Sequence, residues 1–263
     1  MVKSPERPPI SAFIRAQNEA RMIAEVVRAA AAVADEVVVV DSGSTDATRQ
    51  LAITAGARVI DQEWLGNGRQ KRVGEDACRH DWLLDLDADE VVSTALAVEI
   101  RALFANGPPP RPVYRTPVAI APPVGDPWIG FGGVVRHKLY DRRVVRAPDD
   151  VVWDQFDLPA GIAPGVIHAP ILHYAFANTE HLIAKLNKNS STRAGKMALK
   201  PTPLLIMRIF FGLPFYFSKR YFLHGLFRGG VYGFSFAMMS AFGRWMRDVK
   251  MFERWKRERR GNV

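Results

Sequence analysis

Residues 82–90 read Trp82-Leu83-Leu84-Asp85-Leu86-Asp87-Ala88-Asp89-Glu90, an apolar run that drives straight into a cluster of acids. A buried strand that ends in carboxylates delivers them to the open edge of a sheet, where α/β folds bind ligands. Asp87 and Asp89 sit on alternate positions, so on an extended chain both point to one side. Two hard oxygen ligands placed in this way suit Mg²⁺ or Mn²⁺, ions that commonly hold a nucleotide's phosphates. A solvated acidic loop is the plain alternative. An EF-hand loop starting at Asp85 is excluded, because it needs Gly at its sixth position and Glu at its twelfth, and the chain has Glu90 and Leu96 there. Acids at a helix N-terminus are compatible with a ligand site: Ser93 can cap a helix over Thr94–Phe104 that stops at Asn106-Gly107.

The rest of the first half alternates strand and helix signals. Ser11–Arg15 reads as a short apolar strand, and Asn18 as the cap of a helix to about Ala34 with Met22, Ile23, Val26, Val27 and Ala30 on one stripe. Val37-Val38-Val39-Val40 is wholly apolar and β-branched, as a parallel strand covered on both faces should be. Asp41–Asp46 is a turn, followed by a helix to Gly56, a strand over Arg58–Ile60, and loop and helix over Gly66–His80. This pattern predicts right-handed βαβ units and an α/β fold with a doubly wound, mainly parallel sheet. Pro108–Leu172 is rich in Pro and Gly, with strand-like pieces at Val113–Ile120, Val134–Tyr140 and Val166–Leu172. These predict an antiparallel extension and loops around an acceptor site.

The formal net charge of +9 is concentrated at one end. Leu204–Val263 holds twelve Lys and Arg against three acids, and the remainder is close to neutral. The same segment carries the apolar, aromatic run Leu204–Phe217 and the uncharged stretch Gly229–Gly243, both shorter than the roughly 20 residues that span a bilayer. Trp245, Met246, Phe252 and Trp255 then interleave with dense Arg and Lys. The combination predicts an amphipathic helical appendage in an anionic membrane interface; a core helix followed by a solvated basic terminus is the alternative. Nucleic acid is not the expected partner, since single-strand binding does not require such long apolar runs. The single Cys78 excludes an internal disulfide and fits a reducing compartment. Met1–Pro9 has no apolar core of a signal peptide.

Four segments together resemble the inverting GT-A glycosyltransferases of family 2, most nearly the subgroup that adds a sugar to the lipopolysaccharide inner core. They are Phe13–Glu19, Val38–Asp46 with its Val-Asp-Ser-Gly-Ser-Thr-Asp turn, Gln70-Lys71-Arg72, and Leu86-Asp87-Ala88-Asp89-Glu90. Weaker matches continue in Arg136–Arg143, in Leu172-His173-Tyr174 and in the aromatic basic tail. The resemblance implies a glycosyltransferase domain over residues 1–200, with a nucleotide-sugar half at 10–105 and an acceptor half at 106–200, and a membrane-associating helical tail over 201–263.

The resemblance also implies roles. Asp41 would accept the N–H of a uracil-like base, with capping of its own turn as the alternative. Arg15 and Glu19 would sit at the base and ribose side, and Asp87 would contact the ribose or metal. Lys71 and Arg72 would meet the diphosphate, or else form a solvated helix face. Asp89 would bind Mg²⁺ or Mn²⁺ bridging the phosphates, with His173 completing the metal site unless it is a structural histidine. The subgroup's Val-His-Glu motif reads Val152-Trp153-Asp154 here. Asp154 is therefore expected as the general base for the acceptor hydroxyl, with Asp141 and Asp157 as rivals. Trp128, in Trp128–Gly133, would offer a sugar-stacking ring on the acceptor side or anchor a turn.

The expected function is metal-dependent inverting transfer of a sugar from a nucleotide-sugar donor, UDP-sugar favoured, to a lipopolysaccharide core or other lipid-linked glycan acceptor. The expected location is cytoplasmic, peripheral on the inner face of the cell membrane. Two alternatives stand beside it. One is a catalytically inactive, nucleotide-binding membrane scaffold, motivated by the altered Val152-Trp153-Asp154. The other is nucleotidyl transfer, which would want a Gly-rich phosphate loop where the chain has Arg15-Ala16-Gln17-Asn18-Glu19.

Overall fold

The computed structural model describes residues 8–199 and 202–260. The basis for expecting no signal peptide, Met1–Pro9, lies mostly outside them. Strands β1 (Ile10–Ala16), β2 (Glu36–Asp41), β3 (Arg58–Asp61) and β4 (Trp82–Asp87) alternate with helices α1 (Ile23–Ala31), α2 (Thr48–Thr54) and α3 (Asn67–Ala77). After them come β5 (Glu90–Val92), α4 (Thr94–Phe104), β6 (Val113–Ile120), β7 (Val134–Asp141), β8 (Gly165–Val166) and β9 (Ile171–His173). The strands form one sheet in the order β3-β2-β1-β4-β7-β6-β9-β5, with β8 on β6. β3, β2, β1 and β4 are parallel; β7 runs antiparallel to β4 and to β6, and β9 antiparallel to β5. This is the expected doubly wound, mainly parallel sheet with an antiparallel extension.

The apolar strands are continuous because both faces are covered. On one face Ala12, Ile14, Val39, Leu84 and Leu86 pack with Ile23 and Val26 of α1 and Leu96, Ile100 and Phe104 of α4. On the other, Phe13, Val38 and Leu83 pack with Cys78 and Tyr140. Gly74 of α3 lies so close that an added Cβ would stand 2.5 Å from the Phe13 ring. Gly74→Ala should therefore cost about 1–3 kcal/mol by overpacking, read as a lower denaturant midpoint at unchanged m-value. An unchanged midpoint would mean that Phe13 steps aside freely.

Several local expectations are corrected. α1 starts at Ile23, and its N-cap, Met22, makes no side-chain cap. Asn18 instead adopts φ 55° and accepts from Thr45 N at 2.8 Å, tying the turn after β1 to the turn after β2. The strand expected over Val166–Leu172 is split around Pro170, which has no N–H for a ladder. β4 stops at Asp87, and a turn at Ala88-Asp89 separates the two acids. Strand alternation therefore does not relate Asp87 to Asp89. Ser93 does cap α4, accepting from Leu96 N at 3.1 Å.

The chain divides into two compact units, Met1–Ala119 with Val134–Tyr174, and Ile120–Gly133 with Ala175–Val263. The sheet above, except Ile120 at the end of β6, belongs to the first. The second contains α5 (Thr179–Lys196), α6 (Thr202–Ser218), a π-helical turn (Lys219–Leu223), a 3-10 turn (Leu226–Gly229) and α7 (Gly230–Arg260). α5, for which the sequence offered no expectation, and the segment Ile120–Gly133 group with the tail helices. α5 is held there by Lys250 of α7, which donates to Asn187 Oδ1 at 2.6 Å and Ser190 Oγ at 2.8 Å. No described helix is long and apolar enough to cross a membrane.

Candidate active site

Strand order reverses between β1 and β4, since β2 and β3 lie to one side of β1 and β4 to the other. Ligands of open α/β sheets bind outside the carboxyl ends of the strands at such a switch point. Arg15 and Asp87 are paired in register at the ends of β1 and β4, and the Arg15 guanidinium donates to the Asp87 carboxylate. It also donates to the Asn67 carbonyl at the start of α3, at 3.1 Å, and lies 3.3 Å from Asp154 Oδ2. Lys71 on α3 has 2% of its side chain exposed and meets Asp85 Oδ2 at 2.6 Å and Asp154 Oδ2 at 3.2 Å. Four of the expected site residues, Arg15, Lys71, Asp87 and Asp154, thus converge on one point.

Neighbouring charges complete the cluster. Lys138 of β7 is buried, with Nζ 2.5 Å from Glu90 Oε2 and 3.9 Å from Asp87 Oδ2. Glu90 also accepts the Asp87 backbone N–H at 2.9 Å. Burial pushes the Asp87 carboxyl up, but Arg15, Lys138 and Lys71 override it and hold Asp87 well below the usual carboxylate range. The Asp154 carboxyl behaves alike: burial raises it, and Lys71 and Arg15 bring it below its ordinary value. Burial dominates at Glu90 and raises it against the pull of Lys138. Two buried polar atoms of the cluster, Arg15 Nε and Asp85 Oδ1, have no hydrogen-bond partner among the described residues.

Asp85, Glu90 and Lys138 were not foreseen as site residues. The signal for Asp85 was its position inside an otherwise apolar strand, where an acid must be paired.

The loop carrying Asp154 is clamped from both sides. Asn67 Nδ2 donates to Val152 O at 2.7 Å, and Asn67 N to Val151 O at 3.0 Å. A Cβ at Gly68 would stand 2.3 Å from Pro148 O, and one at Gly66 2.5 Å from Val151 Cα. Further along, Phe156 stacks on His137 at 5.5 Å and meets Tyr140 edge-on at 5.1 Å. Trp153 is 62% exposed.

Asp89 is buried, and its Oδ1 lies 3.3 Å from His173 Nε2 across the β5–β9 pair. No group of three or more His, Cys, Asp or Glu poised to hold a metal exists among the described residues. A carboxylate oxygen and an imidazole nitrogen this close together are a pair that could ligate one Mg²⁺ or Mn²⁺ ion, whose remaining positions phosphate oxygens and water would fill. The surroundings favour a cation, since five carboxylates (Asp85, Asp87, Asp89, Glu90, Asp154) face three fixed positive charges (Arg15, Lys71, Lys138).

The remaining expected residues are more dispersed. Asp41 ends β2 and accepts from Ser44 N at 3.0 Å, so it caps its own turn. Glu19 receives Met22 N and Ile23 N on its carbonyl and donates its N–H to Thr48 Oγ1 at 2.7 Å, closing the platform beside Asp41. Arg72 donates to Ala147 O at 2.7 Å. Asp141 is not brought to the site: it pairs with Trp82 at the far end of β4, about 16 Å of strand from Asp87, and binds Arg143 at 2.6 Å. Trp128 belongs to the second unit, where it is buried and stacked on Phe131 at 5.8 Å. It anchors its turn and is no open stacking ring.

Charged side chains, several of them buried, thus gather at the switch point of a parallel sheet, where α/β enzymes bind their ligands. The family model for glycosyl transferase family 2 matches residues 11–109. An uncharacterized glycosyltransferase of Rickettsia felis is 32% identical over 254 residues, 93% of this chain and 89% of that one. The lipopolysaccharide core biosynthesis glycosyltransferase LpsC of Rhizobium meliloti is 29% identical over 97% of this chain and 96% of its own. A crystal structure of glucosyl-3-phosphoglycerate synthase from Mycobacterium tuberculosis with Mn²⁺ and UDP aligns over 41% of this chain and 43% of that one, at 25% identity and a TM-score of 0.34; no residue role is carried from so partial an overlap. The chain is a glycosyltransferase and belongs to glycosyl transferase family 2.

Proposed function

We propose that the protein moves a sugar, with inversion and with the help of Mg²⁺ or Mn²⁺, from a nucleotide-sugar donor to a lipopolysaccharide core or other lipid-linked glycan acceptor at the inner membrane face. The observation that carries the chemistry is the convergence of Arg15, Lys71, Asp87 and Asp154 at the switch point of a family 2 chain. The acceptor class is supported by the relative whose name places it in lipopolysaccharide core biosynthesis.

In this reading the donor's base, a uracil by preference, lies on the platform of Asp41 and Glu19, with Asp87 and Arg15 at the ribose. Lys71 and Arg72 would meet the diphosphate. Asp89 and His173 would hold the divalent ion, which neutralises charge on a leaving nucleoside diphosphate. Asp154 is kept ionised by Lys71 and Arg15. It takes the proton of the acceptor hydroxyl as that oxygen attacks the anomeric carbon and the bond to the diphosphate breaks. Transfer chemistry belongs to the sheet-bearing unit, and membrane association to the basic helices.

Titration calorimetry with a panel of nucleoside diphosphates, with and without Mn²⁺, tests the donor site. Metal-dependent binding of one nucleotide is expected, and no binding by folded protein would sink the assignment. Asp154→Asn should slow transfer by about 10²–10⁴-fold with donor affinity kept. An undiminished rate would move the base elsewhere, with Asp157 the next candidate.

A further inference from the structure

The α6–α7 hairpin is built inside out. Beside buried Leu205, Tyr216 and Met251, its interior holds many small and polar groups: Gly212, Gly233, Ala237 and Ala241 are buried, and Asp248 is fully buried between Arg208, 2.9 Å away, and Arg247, 3.0 Å away. A Cβ at Gly233 would collide with Leu226 O at 1.9 Å. The large apolar side chains face outward instead: Phe210 is 73% exposed, Leu223 82% and Val231 83%, with Phe211, Phe215 and Phe222 also well exposed. In water this arrangement forfeits the hydrophobic effect, and a soluble surface rarely tolerates so large an apolar patch. In lipid it is the expected one, because helices there pack through small residues and buried polar contacts while apolar side chains meet acyl chains.

The charge of the surrounding sequence argues for one occupant. His181–Arg247 contains eleven Lys and Arg and no acid, which complements an anionic lipid surface. No described helix is long and apolar enough to cross a bilayer.

We propose that the hairpin tip, α6 with the turns Lys219–Leu223 and Leu226–Gly229, is a monotopic membrane-insertion element. Its outward aromatics enter the acyl region, while Lys219 and Arg228 stay at the headgroups. This deepens the membrane part of the proposed function, from surface attraction to penetration.

The test labels Leu223→Cys with an environment-sensitive fluorophore; Cys78 is buried, and labelled wild type is the background control. Phosphatidylglycerol–phosphatidylethanolamine vesicles should shift the emission to the blue. Lipids carrying a nitroxide on the acyl chain should quench it, and both signals should survive high salt. Phe210→Ser/Phe211→Ser/Phe215→Ser should lose the salt-resistant bound fraction while retaining nucleotide binding, which also shows that it is folded. A label that stays wet on vesicles from which salt releases the protein would overturn insertion and leave surface attraction standing. No vesicle binding at all would overturn both. A blue shift without vesicles that grows with protein concentration would assign the patch to a second copy of the chain.

Discussion

Asp89→Ala is expected to abolish metal-dependent nucleotide binding and to lower turnover by on the order of 10²–10³-fold, with the fold little changed. The side chain is buried and sits in a turn, with its Oδ1 3.3 Å from His173 Nε2. The hydrogen bond that fastens the turn to the end of the sheet runs from Tyr174 N to the Asp89 backbone carbonyl, at 2.8 Å, and alanine keeps that carbonyl. The stability cost should therefore stay near 1 kcal/mol, the size of an ordinary substitution. Calorimetry with Mn²⁺ and nucleoside diphosphate, a thermal melt and nucleoside diphosphate release read the three quantities separately. A variant with full activity would remove Asp89 from the metal site.

Lys71→Met should behave in the opposite way, damaging stability and activity together. Lys71 and Asp85 each have 2% of their side chains exposed and meet at 2.6 Å. Removing the cation leaves buried Asp85 without its ion-paired partner, at a cost of about 3–5 kcal/mol, or roughly 10 °C in melting temperature for a chain of this size. The double variant Lys71→Met/Asp85→Leu replaces the pair by apolar groups and should recover most of the stability. It should not recover activity, because Asp154 still lacks one of the two cations, 3.2 Å away, that hold its carboxyl below its ordinary value. Recovery of both would reduce Lys71 to a structural residue.

The sheet was legible because its strands are covered on both faces, which leaves unbroken apolar runs such as Val37–Val40, and because α4 carries its own cap at Ser93. Asn18 was misread because its side chain is claimed by Thr45, 27 residues away, a tertiary contact that outbids local capping. Lys71 and Arg72 look alike in sequence. Only the fold shows that one is buried against Asp85 and the other tied to the Ala147 carbonyl. Asp87 and Asp89 suggested a single pair of ligands, but the turn at Ala88-Asp89 sends one to Arg15 and the other to His173. Asn178 caps α5 by accepting from His181 N at 2.8 Å, a start signal present in the sequence ahead of a helix too polar to stand out by its periodicity.

The clamp on the Asp154 loop bears on how such an enzyme can change its acceptor. Gly66 and Gly68 leave no volume for any side chain where α3 meets Pro148 and Val151, so backbone drift there is closed to mutation. Trp153, beside Asp154 and largely in solvent, carries no comparable constraint. If Asp154 is the base, as proposed, substitutions at Trp153 can alter what docks next to it without displacing it, so acceptor choice could change while the frame stays fixed.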